Sequence, residues 1–485
     1  MSAAALSLAL AAGPLTGPAQ ASDIRLPDMG DPSDSLLTPV AEGRLGDAFM
    51  RSIRADHPVV DDPLMTEYVR SLGARLAAAE SGGPGFKFIL IDEPVVNAFA
   101  GPDGIIGIYS GLVLATESES ELASVLAHEI AHVSQKHLRR TFDAYSRMTA
   151  PAAAAILAAV VAGISGAPGE VTSAVITGVQ AGMIQQQINF TRSNEEEADR
   201  VGMSILAEAG YDPRAMPVFF ERLAKLNRNY AGQLPEFLRT HPVTVSRIAD
   251  TLGRAEDYPY RQYPDSLDYH LLRTTLRARA FDDPGEAETF FRQSLEEGRY
   301  RNEAAQRYGY VLALMEAKHY DQARTQMNRL LQGHPEVVAF AVTDARLHKK
   351  TGDTKRGLER LSEALKAHPG NYTLLRYYAE DLIDAGRPGE AQKILESNLQ
   401  HHRQDAALQR LLARAAGAAG DETLGHQHLA EYYYLRGNYE AAIRQLEIGL
   451  QDRSAEYYQS AQMAARLKEI RAEWKDIKEA EPKIK

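Results

Sequence analysis

Apolar positions in the first third of the chain change their spacing twice, and each change predicts a different element. From Leu45 to Ala79 they recur at helical intervals (Phe49 and Ile53, then Leu64, Tyr68, Leu72 and Leu76), and Pro58 and Pro63 break the run into two helices. Next, Phe86-Lys87-Phe88-Ile89-Leu90-Ile91 and Gly107-Ile108-Tyr109 read as short strands on either side of Asn97-Ala98-Phe99-Ala100, with glycines turning the chain between them. Helical spacing then returns: Ser118 and Glu121 fit a capping box, and Leu122, Val125, Leu126, Ile130 and Val133 share one apolar face.

The second half is periodic. Ala345, Ala379 and Ala413 stand 34 residues apart, as do Gly352, Gly386 and Gly420, and His334-Pro335 returns as His368-Pro369. A 34-residue helix-turn-helix period with small residues where helices cross is the tetratricopeptide (TPR) pattern. Tyr320 with Ala323, and Tyr439 with Ala442, extend the array to about four repeats. Gly437 follows Gly420 by only 17 residues, so the register shifts there by half a repeat. The Leu, Tyr and Ala stripes of this half are read as core and carry no chemistry.

Composition narrows the possibilities. A chain of 485 residues exceeds one hydrophobic core, so two or three domains are expected. With 44% hydrophobic and 25% charged residues it has the make-up of a folded protein, and a formal charge of -11 argues against a general nucleic-acid binder. There is no cysteine, which excludes disulfides, thiolate ligands and a cysteine nucleophile, so any metal must sit on histidines and carboxylates. Residues 1–21 pair an Ala/Leu stretch with a small-x-small site ending at Ala21, the form of a signal peptide, although no Lys or Arg precedes the stretch. Residues 149–167 carry no charge, but they are rich in Ala and hold Pro151, Gly163 and Gly166; they read as a buried hairpin, or a flap touching a membrane surface, rather than a span.

Chemistry concentrates in His128-Glu129-Ile130-Ala131-His132. Positions i and i+4 of a helix share a face, so both imidazoles can bind one ion with Glu129 beside it. Alone, the motif also admits a bland reading as two satisfied helical histidines. A catalytic zinc needs a third protein ligand and an open position for water. A histidine six residues after the second is one solution, and that place holds Leu138; His137 is five residues on and is expected to point away from the pair. The other solution is an acid from a separate helix. Asn194-Glu195-Glu196-Glu197-Ala198-Asp199 is read as opening a helix with Val201, Ile205 and Leu206 on its apolar side, and Glu195 and Asp199 are again i and i+4, one as ligand and the other holding an imidazole.

At this point the sequence resembles a family. HEIAHVSQKH, SNEEEADRVG and RTHPVTVSRIAD are similar to the three signature stretches of the HtpX-like and CAAX-prenyl-endopeptidase-like gluzincins, and the leader, Leu26-Pro27-Asp28-Met29-Gly30 and the TPR tail match the periplasmic members. The resemblance implies a mainly α chain: an α+β zincin-type metalloprotease domain with a small sheet over 22–265, a linker with the first helices of the repeats over 266–300, a TPR solenoid over 301–470 and a basic tail over 471–485. It implies one zinc ion per chain on His128, His132 and Glu195, with Glu129 as general base and Asp199 behind a ligand. His241 corresponds to a histidine that approaches the metal or assists the transition state, Arg247 to an oxyanion or carboxylate partner, and Asn97 to a substrate-aligning edge strand. Implied partners are unfolded or misassembled outer-membrane proteins and, through the repeats, the barrel-assembly complex. The contending reading is a TPR scaffold or chaperone whose zinc site is latched or vestigial; an integral-membrane peptidase ranks last because several spans are missing.

Overall fold

The computed structural model describes residues 38–80, 85–146, 181–229, 236–400, 404–452 and 456–480; the leader over 1–21 and the uncharged run over 149–167 lie outside them. Two helices come first. In α1 (Pro39–Asp56) the Thr38 hydroxyl accepts from Ala41 N, and in α2 (Pro63–Ala78) the Asp62 carboxylate accepts from Leu64 N, each with proline in the first turn. Strands β1 (Lys87–Ile91), β2 (Ala98–Ala100) and β3 (Ile105–Tyr109) form a sheet of order β1-β3-β2. β3 is central and buried at every position, parallel to β1 from Lys87↔Ile105 to Ile91↔Tyr109 and antiparallel to β2 from Ala98↔Ile108 to Ala100↔Ile106.

Among the described residues seven more helices complete the first half: α3 (Ser110–Ala115), α4 (Glu119–Ser134), α5 (His137–Ser146), α6 (Ala181–Glu208), α7 (Ala215–Asn229), α8 (Glu236–Thr240) and α9 (Val245–Glu256). α4 is the axis. Leu122, Val125, Leu126 and Ile130 sit in one core with Leu72 and Leu76 of α2, Ile106 of β3 and Ile205 of α6. Its start uses the predicted cap with one change, since the Glu121 carboxylate accepts from Glu117 N instead of from Ser118 N. Among the described residues no helix is long and apolar enough to cross a membrane.

The repeats run through α10 (Leu267–Arg279), α11 (Pro284–Glu296), α12 (Glu303–Glu316), α13 (Tyr320–Gly333), α14 (Val338–Lys350), α15 (Thr354–Ala367), α16 (Tyr372–Asp384), α17 (Pro388–Leu399), α18 (Ala406–Ala419), α19 (Glu422–Leu435), α20 (Tyr439–Gly449) and α21 (Tyr457–Ala480). Gly352, Gly386 and Gly420 take φ of 88°, 72° and 89° at the turns inside successive pairs, a left-handed conformation that explains why glycine repeats there. At the crossings marked by Ala345 and Ala413 the following helices carry Gly357 and Gly425, which lie against the alanine carbonyl oxygens and leave little or no room for a side chain. Gly437 (φ 72°) ends α19 as Gly420 ends α18, so α19 closes one pair and opens the next, which is the half-repeat shift.

Two expected boundaries meet packed structure. Tyr269, Leu272 and Leu276 of α10 belong to the same core as α4, and the buried Glu119 carboxylate accepts from Ser266 N at 2.6 Å, Ser266 Oγ at 2.9 Å and Tyr68 OH at 3.0 Å, so the segment read as linker and first repeat helices starts with a packed seam at 266. The segment read as a basic tail from 471 begins within a helix: α21 continues to Ala480, with Trp474 stacked on Tyr439 at a ring-centroid distance of 5.2 Å and Ile477 in the same cluster. The array also curls back on the first half, Tyr377 OH donating to Asp62 at 3.0 Å and Arg436 pairing with Asp61 at 3.4 Å.

Candidate metal centre

α4 presents His128 and His132 on one face, one turn apart, and α6 crosses it there. The crossing is close because residue 202 is glycine: a Cβ at Gly202 would lie 3.0 Å from His128 N and 3.1 Å from the Ala127 carbonyl. One and two turns before that contact stand Asp199 and Glu195, which the close approach delivers to the histidines. The acidic run therefore lies in the middle of a 28-residue helix, not at its opening, since no Pro or Gly interrupts the chain between Gly182 and Gly202.

Four side chains converge: His128, His132, Glu195 and His241 offer ligand atoms that all lie within 4.8 Å of one another. His128 Nε2 is 3.1 Å from His132 Nε2 and 3.4 Å from Glu195 Oε2, and His132 Nε2 is 3.4 Å from Glu195 Oε1. Donors around a tetrahedral ion with bonds of about 2.0–2.1 Å sit about 3.4 Å apart, so the spacing fits a metal. His241, held on the turn after α8 and stacked on Phe237, adds Nδ1 at 3.0 Å from Glu195 Oε1 and 3.4 Å from His128 Nε2. Glu129 is fully buried beside them; neither carboxylate oxygen has a hydrogen-bond partner among the described residues, and His241 Nε2 stands 3.6 Å from Oε1. Orphaned acceptors in a polar cluster call for a water or an ion.

Around this ring the other expected residues take definite places. Asp199 Oδ1 approaches His128 Nδ1 to 3.0 Å, at the distance though not the alignment of a hydrogen bond. Arg247 is buried and bridges both acids, with Nε and Nη2 on Asp199 at 2.7 and 2.6 Å and Nη1 on Glu195 at 2.8 Å. It is thus a carboxylate partner and is not exposed to receive an oxyanion. Asn97 lies just before β2, which has no strand on its outer side among the described residues; its side chain is buried with Oδ1 unpaired there, and its backbone carbonyl accepts from Tyr109 N. His137, expected to point away, does not. Lys136 adopts φ 54° and breaks the helical path, turning His137 Nδ1 to within 2.8 Å of His132 Nδ1. His137 Nε2 meets Glu197 at 3.2 Å, and Arg140 anchors that acid at 2.8 Å. No periodicity in the sequence announces this chain of contacts, because a single left-handed residue creates it.

Charge follows the geometry. Burial opposes a proton on His128, but Asp199 and Glu195 outweigh it and raise the imidazole to about 10; His132 is pushed down by burial to about 3. Burial lifts the Glu129 carboxyl, while Glu195, against its own burial, is held well below the usual carboxylate range by His241, His128 and His132.

These features define a class. The description "Peptidase family M48" matches residues 63–255, the span holding all four converging donors, and the chain is a metalloendopeptidase of that kind; a tetratricopeptide repeat matches 350–415. A Vibrio cholerae relative is 38% identical over 90% of this chain and 90% of its own length. The "Beta-barrel assembly-enhancing protease" of Escherichia coli K12 is 32% identical over 92% of this chain and 91% of its own. The chain belongs to the beta-barrel assembly-enhancing protease family. The "Mitochondrial metalloendopeptidase OMA1" of Arabidopsis thaliana is 30% identical over 40% of this chain and 36% of its own length.

Proposed function

We propose that this chain is a periplasmic zinc endopeptidase acting on misassembled outer-membrane β-barrel proteins. The observation that carries the reading is the meeting of His128, His132 and Glu195 at tetrahedral spacing beside a buried Glu129 carboxylate with no partner among the described residues. His128, His132 and Glu195 hold one zinc ion per chain, Asp199 and His137 orient the two imidazoles, and Arg247 holds both acids in place. A zinc ion held by these residues would supply Lewis acidity for the scissile carbonyl and for water. Glu129 takes the proton of the attacking water and delivers it to the leaving amine, work suited to a carboxyl lifted by burial. The free side of β2 aligns an extended client as an added strand.

Glu129→Gln tests this. It binds zinc as the wild type does and loses cleavage of casein or an unfolded barrel protein by about 10²–10⁴-fold; retained cleavage by variant free of contaminating protease would sink the reading. His241 supplies a fourth donor and so latches the resting site. His241→Ala therefore raises basal proteolysis, and unchanged or lower activity at equal zinc content refutes the latch.

The location rests on the leader-like residues 1–21, and the clients rest on the names of the relatives and on the binding surfaces that repeat arrays offer. The repeats would dock on the barrel-assembly complex and assist assembly, and residues 149–167 would touch the membrane surface. The vestigial-site scaffold is not favoured, because every group that hydrolysis needs stands within reach of the cluster.

A further inference from the structure

Away from the metal cluster, α10, α11, the turn after it and the start of α12 line an open cavity of about 560 Å³. Arg273 and Arg277, one turn apart on α10, face it together with Arg299 and Arg301, and no Asp or Glu lines it among the described residues. In a chain of formal charge -11 that is a marked local reversal. Two of these charges are answered, Arg299 by Glu297 and Arg301 by Glu117. Arg273 and Arg277 have no carboxylate partner among the described residues. Arg273 donates to the Leu114 carbonyl at 3.3 Å, yet its Nε is buried with no partner, and Nε2 of Gln306 in the same lining is buried and unpaired too. Burial and the Arg273 charge lower the Arg277 pKa, as like charges one turn apart should. The rim is aromatic, with Phe290 43% and Tyr300 37% exposed.

Unpaired buried donors and repelling guanidinium groups weaken a fold unless something answers them. An oxyanion answers the unpaired donors and the two like charges together, since the forked guanidinium matches carboxylate and phosphate alike. The aromatic rim selects further, favouring an anion attached to an apolar body, and the volume lies in the range of small-ligand and short-peptide pockets. We propose that this cavity binds the terminal carboxylate of a peptide chain ending in an apolar or aromatic residue. Arg273 and Arg277 take the carboxylate, Gln306 Nε2 adds a hydrogen bond, and Phe290 and Tyr300 flank the last side chain. The site is independent of the metal reading. It nonetheless adjoins the catalytic half, because Arg301 pairs with Glu117 at the turn before α4 and Arg273 reaches Leu114 of α3.

The test uses the full chain and an N-terminally fluorescein-labelled hexapeptide ending in Phe, as free acid or C-terminal amide, read by anisotropy with the peptide's intactness followed by mass spectrometry. The free acid binds about tenfold tighter than the amide or better, the scale of one charge-assisted hydrogen bond. Arg277→Gln and Arg273→Gln each remove about tenfold. Arg277→Gln, which gives up no carboxylate contact and relieves a repulsion, keeps the wild-type Tm or raises it and leaves casein cleavage unchanged, so it carries the test even if Arg273→Gln fails to fold. Equal binding of acid and amide, or wild-type affinity in Arg277→Gln, overturns the proposal. Inorganic phosphate bound at micromolar concentration, with no preference for the acid peptide, overturns it in favour of a free-phosphate site.

Discussion

Gly202→Ala perturbs the metal centre without touching a ligand. The added Cβ would meet His128 N at 3.0 Å and the Ala127 carbonyl carbon and oxygen at 3.1 Å. These are backbone atoms of a buried helix, so no side chain can swing aside, and α6 must retreat from α4 by a few tenths of an ångström. Overpacking of this kind costs about 1–3 kcal/mol, whereas replacing a helical glycine by alanine returns about 1 kcal/mol, which leaves the variant destabilised by about 0–2 kcal/mol. Metal binding suffers more than stability. Asp199 and Glu195 lie on the retreating helix, so the 3.0 Å approach to His128 and the 3.4 Å spacing to both imidazoles open together. Loosened supports of this kind lower metal affinity by about 10–100-fold. Zinc competition against a chromophoric chelator, with thermal unfolding of the metal-free protein alongside, reads both quantities. A raised Tm with unchanged zinc affinity would show that the crossing of α4 and α6 does not set the donor geometry.

Two further outcomes follow from contacts outside the ligand set. His137→Phe keeps a ring of similar size but removes the nitrogen 2.8 Å from His132, and should weaken zinc by about 10–100-fold in the same competition assay with little change in far-UV circular dichroism; unaltered affinity would reduce His137 to packing. A fragment ending at residue 265 loses Tyr269, Leu272 and Leu276 from the core, each worth about 1.5–3 kcal/mol, against a typical domain stability of about 5–15 kcal/mol. It should fail to unfold cooperatively, and a sharp transition at the full-length Tm refutes the shared core.

Much of this was readable from the sequence wherever a local demand dictates the residue. Gly352, Gly386 and Gly420 repeat because a left-handed turn recurs, and the alanines of the array repeat because helices cross there, so period and fold class are legible together. The HEIAH histidines and the Glu195/Asp199 pair are legible because i and i+4 share a helical face wherever the helix begins. What escapes is whatever depends on one irregular residue or on a distant partner. Lys136 interrupts the period and brings His137 back to His132, and although RTHPVTVSRIAD marks Arg247 as a partner of an oxyanion or a carboxylate, only the fold shows that it reaches Glu195 and Asp199 together. The seam at 266 is hidden for a related reason: Tyr269 and Leu272 belong to an amphipathic helix that reads the same whether its apolar face meets a repeat or the catalytic core.

That seam decides how the repeats relate to the chemistry. Glu119 at the start of α4 is clasped by Ser266, and His128 lies nine residues further along the same helix, about 14 Å at 1.5 Å per residue. The helix between them is buried along its length, and a packed helix moves as a unit rather than bending to absorb a shift. Arg301 on Glu117 and Tyr377 on Asp62 add two more ties between the array and the catalytic half. On the proposed reading, a client held on the repeats would therefore sit at a set distance from the donor cluster, and geometry more than local concentration would determine which of its segments reaches Glu129.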